Sequence, residues 1–250
     1  MRCFITPAEW DRDETELPPE EAHHVLHVLR ARERHPIELC DGKGGVAEAE
    51  IARIDKKKVL VKILNRRREP QPRPHTCLIQ GLARGQKMDW IIQKATELGA
   101  AELRAIETEY AVARLPDDRK TQRLERWRRI ALNAAKQCGA TWLPDLHSFH
   151  TLSEALQQAS FDLLLLGDLS EESRSLRQVL RQAATPPVER IGLLIGPEGD
   201  FTPEEKKRAA GLGAIPVHFG PLTLRTETAA LFTLAAIRYE FTAEGTPSSL

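Results

Sequence analysis

The stretch Leu193-Leu194-Ile195-Gly196-Pro197-Glu198-Gly199-Asp200-Phe201-Thr202-Pro203-Glu204-Glu205 decides the fold class. It opens inside a continuous apolar run, Arg190 to Ile195, that shows no polar alternation. A strand buried on both faces reads this way, and such strands belong to parallel sheets. The stretch closes on a helix start. Thr202 offers an N-cap oxygen, Pro203 suits the first helical position, and Glu205 completes a capping box. Between strand and helix, Gly196 and Gly199 remove side chains while Pro197 fixes the backbone. Strand, glycine turn and helix in that order predict an open α/β sheet, in which ligands sit beyond the carboxyl ends of the strands. The turn is neither a dinucleotide fingerprint nor a P-loop. On residue chemistry alone it is either a ligand loop or a plain connection.

The same pattern recurs on both sides. Ala214 to Phe219 reads as a strand, followed by Gly220-Pro221-Leu222-Thr223-Leu224 and a helix from Thr226 to Glu240. Arg225 and Glu227 stand at that helix mouth. They are either a capping pair, with Glu227 complementing the helix dipole, or a place where a guanidinium holds an anion. Phe161 to Leu166 is another continuous apolar strand, followed by Gly167-Asp168. Three glycine turns after three adjacent parallel strands would form one pocket. Upstream, Cys77 to Leu82 reads as a strand, and Gln86 to Leu98 as a helix with Met88, Ile91, Ile92, Ala95 and Leu98 on one face and Gly99 as its C-cap. Residues 118–138 predict a longer, arginine-rich helix. The helix 226–240 is apolar nearly all round, so it needs burial on several sides, in the core or in a subunit interface.

Residues 1–68 read differently. Ile37 to Cys40, Val46 to Ile54 and Val59 to Leu64 are strand-like, with Asp41-Gly42-Lys43-Gly44-Gly45 as a turn and one helix from Pro18 to about Arg30. Glu69-Pro70-Gln71-Pro72-Arg73-Pro74 then reads as a stiff linker. These features predict two domains, 1–70 and 71–250.

Formal net charge is zero over 250 residues, yet the distribution is uneven. From Arg53 to Arg73 the bases Arg53, Lys56, Lys57, Lys58, Lys62, Arg66, Arg67, Arg68 and Arg73 face only Asp55 and Glu69. A neutral chain with a local basic patch suits a protein that touches phosphate with one face; a solvated surface strand fits equally well. Cys3, Cys40, Cys77 and Cys138 lie far apart and read as reduced thiols. No apolar run approaches membrane length, and no signal-peptide pattern follows Met1, so a cytoplasmic protein without membrane association is expected. His23 and His27 are four apart on a helix but lack a third ligand nearby, so no metal is expected. Trp10, Trp90, Trp127 and Trp142 are read as core.

Taken together and in order, Gly196-Pro197-Glu198-Gly199 after a hydrophobic strand and Leu224-Arg225-Thr226-Glu227-Thr228-Ala229 opening the last helix resemble the family E ribosomal small-subunit methyltransferases of the SPOUT superfamily. Arg84-Gly85-Gln86-Lys87-Met88, Gln93-Lys94-Ala95-Thr96-Glu97-Leu98-Gly99, Gln137-Cys138-Gly139, His23-His24-Val25-Leu26-His27-Val28-Leu29-Arg30 and Asp41-Gly42 extend the likeness over residues 20–240. Three positions depart from the family pattern. Asp200 stands where a second glycine is usual, and Leu222 and Ala140 stand where arginines are usual.

The resemblance implies an α/β fold, a SPOUT-type parallel sheet with a C-terminal trefoil knot, preceded by a small PUA-like β-barrel domain. It implies methylation of N3 of a uridine in 16S rRNA with S-adenosylmethionine, acting on the rRNA or the 30S subunit, and a homodimer. Its cofactor pocket maps onto Leu166, Gly167, Ile195, Gly196, Pro197, Glu198, Gly199, Phe219, Gly220 and Leu224. RNA contacts are expected from Arg30, Arg32, Lys56, Lys57 and Lys58. Neutral uracil carries a proton on N3, so the protein must remove it and stabilise the anion. Arg225 is expected to stabilise charge on a uracil carbonyl oxygen. Glu198 or Glu227 is the candidate base, with Glu198 equally a loop anchor. The rival readings are a non-catalytic ribosome-assembly protein of the same fold and a metal-dependent phosphate-ester hydrolase. The second lacks a carboxylate cluster in the sequence.

Overall fold

The computed structural model describes residues 2–110, 117–149, 151–157, 160–184 and 188–241. The chain forms two compact units, Met1–Gln71 with Ala135–Leu143, and Pro72–Ala134 with Pro144–Leu250. The segment Ala135–Leu143 therefore clusters with the first unit, although its place in the sequence assigns it to 71–250.

In the first unit, β1 (Arg2–Phe4), β2 (Glu14–Glu16), β3 (Pro36–Cys40), β4 (Gly45–Asp55) and β5 (Lys58–Arg68) form one sheet in the order β1-β3-β4-β5-β2. Alternation along β4 and β5 sends Ala47, Ala49, Ile51, Val59, Val61 and Ile63 inward, onto a core with Cys3, Trp10, Leu17, Val25 and Leu39. Both strands run longer than their apolar residues suggest, because pairing continues through the arginines: Gly45 to Arg68 and Ala47 to Arg66. The helix expected from Pro18 to Arg30 is split into α1 (Pro19–His23) and a π-helical turn, His24–Val28, before Arg30 adopts φ +52°. The segment Ala135–Leu143 is held by polar contacts. Lys136 pairs with buried Glu21, Thr141 Oγ1 donates to Glu69 Oε2 at 2.9 Å, and Trp142 Nε1 donates to the Glu69 carbonyl at 3.1 Å. Gly44, at φ +80°, passes so close to Trp142 that a Cβ there would lie 2.6 Å from the indole.

The second unit is a seven-stranded, wholly parallel sheet. It comprises β6 (His75–Gly81), β7 (Glu102–Ile106), β8 (Asp145–Phe149), β9 (Leu163–Gly167), β10 (Arg174–Ser175), β11 (Arg190–Ile195) and β12 (Ile215–His218), in the order β10-β12-β9-β11-β6-β7-β8. Successive residues feed opposite layers. Leu163, Leu165 and Leu193 pack with α2 (Lys87–Glu97), α3 (Asp117–Cys138), α5 (Leu176–Ala183) and α7 (Thr226–Phe241). Leu164, Leu166 and Leu194 pack with α4 (Leu152–Gln157) and α6 (Pro203–Gly211). Two-sided burial is why these strands lack alternation.

The strands β7 and β8 carry no such signal. Arg104, 4% exposed, sits in β7 and is tied to Glu102, which Arg190 also holds at 2.8 Å; the polar residues inside a buried strand mask its pattern.

α7 departs from an all-round buried helix. Ala229, Ala230, Thr233, Leu234 and Ile237 are buried, while Thr228, Phe232, Ala235 and Tyr239 form an exposed stripe, with Tyr239 87% exposed.

Candidate active site

The loop after β11 is shaped by close backbone approach. A Cβ on Gly196 would lie 2.7 Å from Asp200 Oδ1 and 3.0 Å from Asp200 Cα, so the loop folds back onto its own glycine. The Asp200 N–H donates to the Pro197 carbonyl at 3.0 Å and closes the turn. Asp200 itself adopts φ +60°, in the left-handed region. That explains the glycine usual at this position, and Asp is among the few other residues that tolerate this conformation. The capping box at Thr202 is complete: Thr202 Oγ1 accepts from Glu205 N at 3.1 Å, and Glu205 Oε2 accepts from Thr202 N at 2.8 Å. Beneath the loop, Gly81 leaves room for Pro197, whose Cδ would stand 2.4 Å from a Cβ there.

At the carboxyl ends of β9, β11 and β12 lies a cavity of about 340 Å³, lined by Lys87, Gly167, Asp168, Leu169, Ile195, Gly196, Pro197, Glu198, Asp200, Phe219, Thr223, Leu224, Arg225, Thr226 and Ala229. Of the residues expected there, Gly167, Ile195, Gly196, Pro197, Glu198, Phe219, Leu224 and Arg225 come together. Leu166 faces the opposite core layer, Gly199 stands exposed beside Tyr110, and Gly220 is exposed in its turn at φ +113°. Glu227, one residue beyond Thr226 on α7, does not line the cavity. Lys87, Asp168, Leu169, Thr223, Thr226 and Ala229 also line the cavity, although the sequence reading assigned none of them to it. Only Asp168, Thr223 and Thr226, next to Gly167, Leu224 and Arg225, had a singled-out neighbour to signal them.

Two lysines organise the charges. Lys87 Nζ lies 2.7 Å from Glu198 Oε1 and 3.4 Å from Glu227 Oε2, tying the loop after β11 to the start of α7. Burial pushes the Glu198 carboxyl up, but the Lys87 ammonium and nearby N–H groups outweigh it and leave it below its ordinary 4.5. The pairing is therefore in place above the ordinary carboxylate range and is lost as pH falls through the lowered value. A carboxylate so held is a weaker base at neutral pH, and the geometry favours Glu198 as the loop anchor. Lys206 Nζ bridges Asp168 Oδ1 at 2.6 Å and Asp200 Oδ2 at 2.7 Å, tying the loop after β9 to the loop after β11. Burial raises the Asp168 carboxyl, yet Lys206 and Ser170 hold it below the usual range. Arg225 is exposed at the rim of the cavity.

In the first unit Arg30, Arg32, Lys56, Lys57 and Lys58 are all exposed, with Lys58 paired to Glu16 at 3.0 Å. Three arginines of the same basic stretch are committed internally. Arg66 donates to the Trp10 and Arg12 carbonyls, Arg67 pairs with Glu38 and Glu69, and Arg68 pairs with Asp41. His23 and His27 contact one another, ring centroids 4.5 Å apart, and no group of three or more metal-ligating side chains occurs among the described residues. Trp90 is 44% exposed rather than core, whereas Trp127 is 2% exposed. Among the described residues, no helix is long and apolar enough to cross a membrane.

The RNA methyltransferase domain family matches residues 69–238, and the RNA methyltransferase PUA domain matches residues 17–64. The chain is 32% identical over 225 residues to the ribosomal RNA small subunit methyltransferase E of Bacillus subtilis, covering 88% of each chain. It is similar to a methyltransferase structure from Legionella pneumophila with bound cofactor SAM, with TM-score 0.83, 30% identity, and 95% and 96% of the two chains covered. It is also similar to a ribosomal RNA small subunit methyltransferase E from Neisseria gonorrhoeae bound to S-adenosyl methionine, with TM-score 0.81, 28% identity, and 96% and 97% covered.

Proposed function

This chain belongs to the family E ribosomal RNA small-subunit methyltransferases, and from that premise we propose that it transfers the methyl group of S-adenosylmethionine to N3 of a uridine in 16S rRNA. The observation that carries the reading is the cavity formed by the three glycine turns after β9, β11 and β12. Its volume lies within the usual range for small-molecule sites. The bound cofactor supplies an activated methyl group.

The chain's own residues orient and stabilise. Backbone at Gly167 and Gly196 lets a ligand approach closely, Lys87 and Lys206 hold the loops in register, and alignment of this kind contributes roughly 7–11 kcal/mol in favourable cases. Arg225, exposed at the rim, is the proposed partner of the uracil oxygen on which charge develops as the N3 proton passes to solvent water. With Glu198 anchored and Glu227 off the cavity, neither glutamate is favoured as the proton acceptor. Given methyl-labelled cofactor and small ribosomal particles, the purified protein is expected to label 16S rRNA. Cofactor binding with no label in RNA would instead support the non-catalytic assembly reading.

RNA is held, in the same proposal, by the exposed bases of the first unit. Deleting residues 1–70 is a poor test, since Trp142 and Thr141 would lose their partners at Glu69. The sharper variant is Lys56→Gln with Lys57→Gln. It is expected to leave cofactor affinity unchanged and weaken rRNA binding, with the slope of log affinity against log salt falling by about 0.7–0.9 per lost phosphate contact. An unchanged slope places the RNA elsewhere.

The proposal includes a cytoplasmic homodimer and the C-terminal knot. For the knot, the support is the return of the chain after β12 to set Thr226 against the Gly196 carbonyl at 2.5 Å. For the dimer, it is the α7 stripe of Phe232, Ala235 and Tyr239, apolar surface of a kind that monomers seldom display. Ala236 is half-buried against the core, so charging it would test packing rather than assembly. Ala235→Glu is the better variant. It is expected to lower dimer content in sedimentation and methylation together; a fully active monomer separates assembly from catalysis.

A further inference from the structure

Gln80 lies in β6, in register with Ile195 of β11 and preceded by buried Leu78 and Ile79, and it is 1% exposed. A primary amide in the centre of a buried parallel sheet costs stability unless its atoms are bonded. Its Oε1 has no partner among the described residues. Its Nε2, by contrast, reaches four acceptors: the Gly81 carbonyl at 3.0 Å, the Ile195 carbonyl at 3.3 Å, the Gly196 carbonyl at 3.4 Å and Thr226 Oγ1 at 2.9 Å. Thr226 Oγ1, itself buried, donates onward to the Gly196 carbonyl. Three of the four acceptors belong to the last residue of β11, to the loop after it, or to the first residue of α7. One side chain thus meets the end of the strand that carries Gly196 and the helix start that follows Arg225. An apolar residue would serve the core better, so what the amide adds is geometry.

We propose that Gln80 is a positioning residue for methyl transfer: by clamping Thr226 against the Gly196 carbonyl, it holds the cofactor loop and the Arg225 end of α7 in one fixed arrangement. This rests on the function proposed above. Gln80 touches neither ligand; it acts through the two segments that do. Binding of cofactor and stabilisation of charge on the RNA base therefore depend on the same amide.

The test compares wild type with Gln80→Met, which keeps the length and removes the amide, and with Thr226→Val and Thr226→Ser. Three quantities are read: S-adenosylmethionine affinity by calorimetry, the rate of rRNA methylation at saturating cofactor, and the thermal midpoint. Gln80→Met is expected to weaken affinity roughly tenfold, the size of one lost buried hydrogen bond. The saturated rate should fall as well, because loose positioning of Arg225 is not cured by more cofactor, while the midpoint stays near wild type. Thr226→Ser should recover most of what Thr226→Val loses, since the hydroxyl returns. A wild-type chain that binds and methylates while Gln80→Met matches it in affinity and rate overturns the positioning role alone. So does a loss that only tracks a lowered midpoint. A wild-type chain that neither binds cofactor nor methylates overturns the proposed function, and the positioning role with it.

Discussion

Gly196→Val is expected to abolish cofactor binding, weakening it more than ~100-fold, about 2.7 kcal/mol. The cause is the loop itself rather than intrusion into the ligand's space. A Cβ at this position would lie 2.7 Å from Asp200 Oδ1, 3.0 Å from Asp200 Cα and 3.2 Å from its carbonyl carbon, and backbone cannot step aside as the tip of a side chain can. Relief requires opening the turn closed by the Asp200 N–H and the Pro197 carbonyl, which moves Pro197 and Glu198 out of the cavity wall and strains the Glu198–Lys87 link. The damage should stop there. The Thr202 capping box pins α6 on one side, and the β11 ladder to β6 and β9 pins the strand on the other. Calorimetric titration with S-adenosylmethionine beside a thermal melt checks both halves: binding lost, midpoint shifted by a few degrees only. Wild-type affinity in the variant contradicts this account of the loop.

Arg225→Ala should produce the complementary result. Its guanidinium is at the rim and exposed, while the cofactor loops are held by Gln80, Lys87 and Lys206 without it. Cofactor affinity should therefore stay within a few-fold of wild type. The saturated rate should fall by roughly 10²–10³, the usual consequence of removing one donor from a developing oxyanion. Arg225→Lys should recover little, because a point charge does not reproduce a planar fork. Single-turnover kinetics at saturating RNA and cofactor separate this from weak binding. If the rate is preserved and only the apparent RNA affinity drops, Arg225 holds a phosphate and not the uracil.

Much of the second unit is legible in the sequence for one physical reason: strands buried on both faces leave continuous apolar runs, and capped helices leave their caps. Phe161 to Leu166, Arg190 to Ile195 and Thr202-Pro203-Glu204-Glu205 all read directly. The strands β7 and β8 do not, since buried Arg104 and its partner Glu102 break the pattern with charges that are satisfied only in three dimensions. The glycine turns locate the cavity, but the side chains that organise it come from elsewhere. Lys87 opens α2 and Lys206 sits within α6, and nothing in their local sequence tells a loop-bridging lysine from a solvated one. Gln80 is harder still, a single polar residue in an apolar strand whose use appears only when β11 and α7 meet at its amide. In the first unit, the basic stretch splits in a way charge alone does not show. Arg66, Arg67 and Arg68 are bound to their own unit, while Lys56 and Lys57 stand exposed at a turn. The Asp200 departure has a local explanation in its φ of +60°; nothing in the structure explains Leu222, 74% exposed, or Ala140.

The most direct measurement gives the purified protein methyl-labelled S-adenosylmethionine and either small ribosomal particles or naked 16S rRNA, then maps the label. Methylation at N3 removes the donor from the base-pairing edge of uracil, so the product halts primer extension at one position and yields a single labelled nucleoside on digestion. The account predicts one stop, one labelled 3-methyluridine, and loss of both with Gly196→Val and Arg225→Ala. Label on a different atom or base, or RNA left unlabelled by a protein that binds the cofactor, contradicts it.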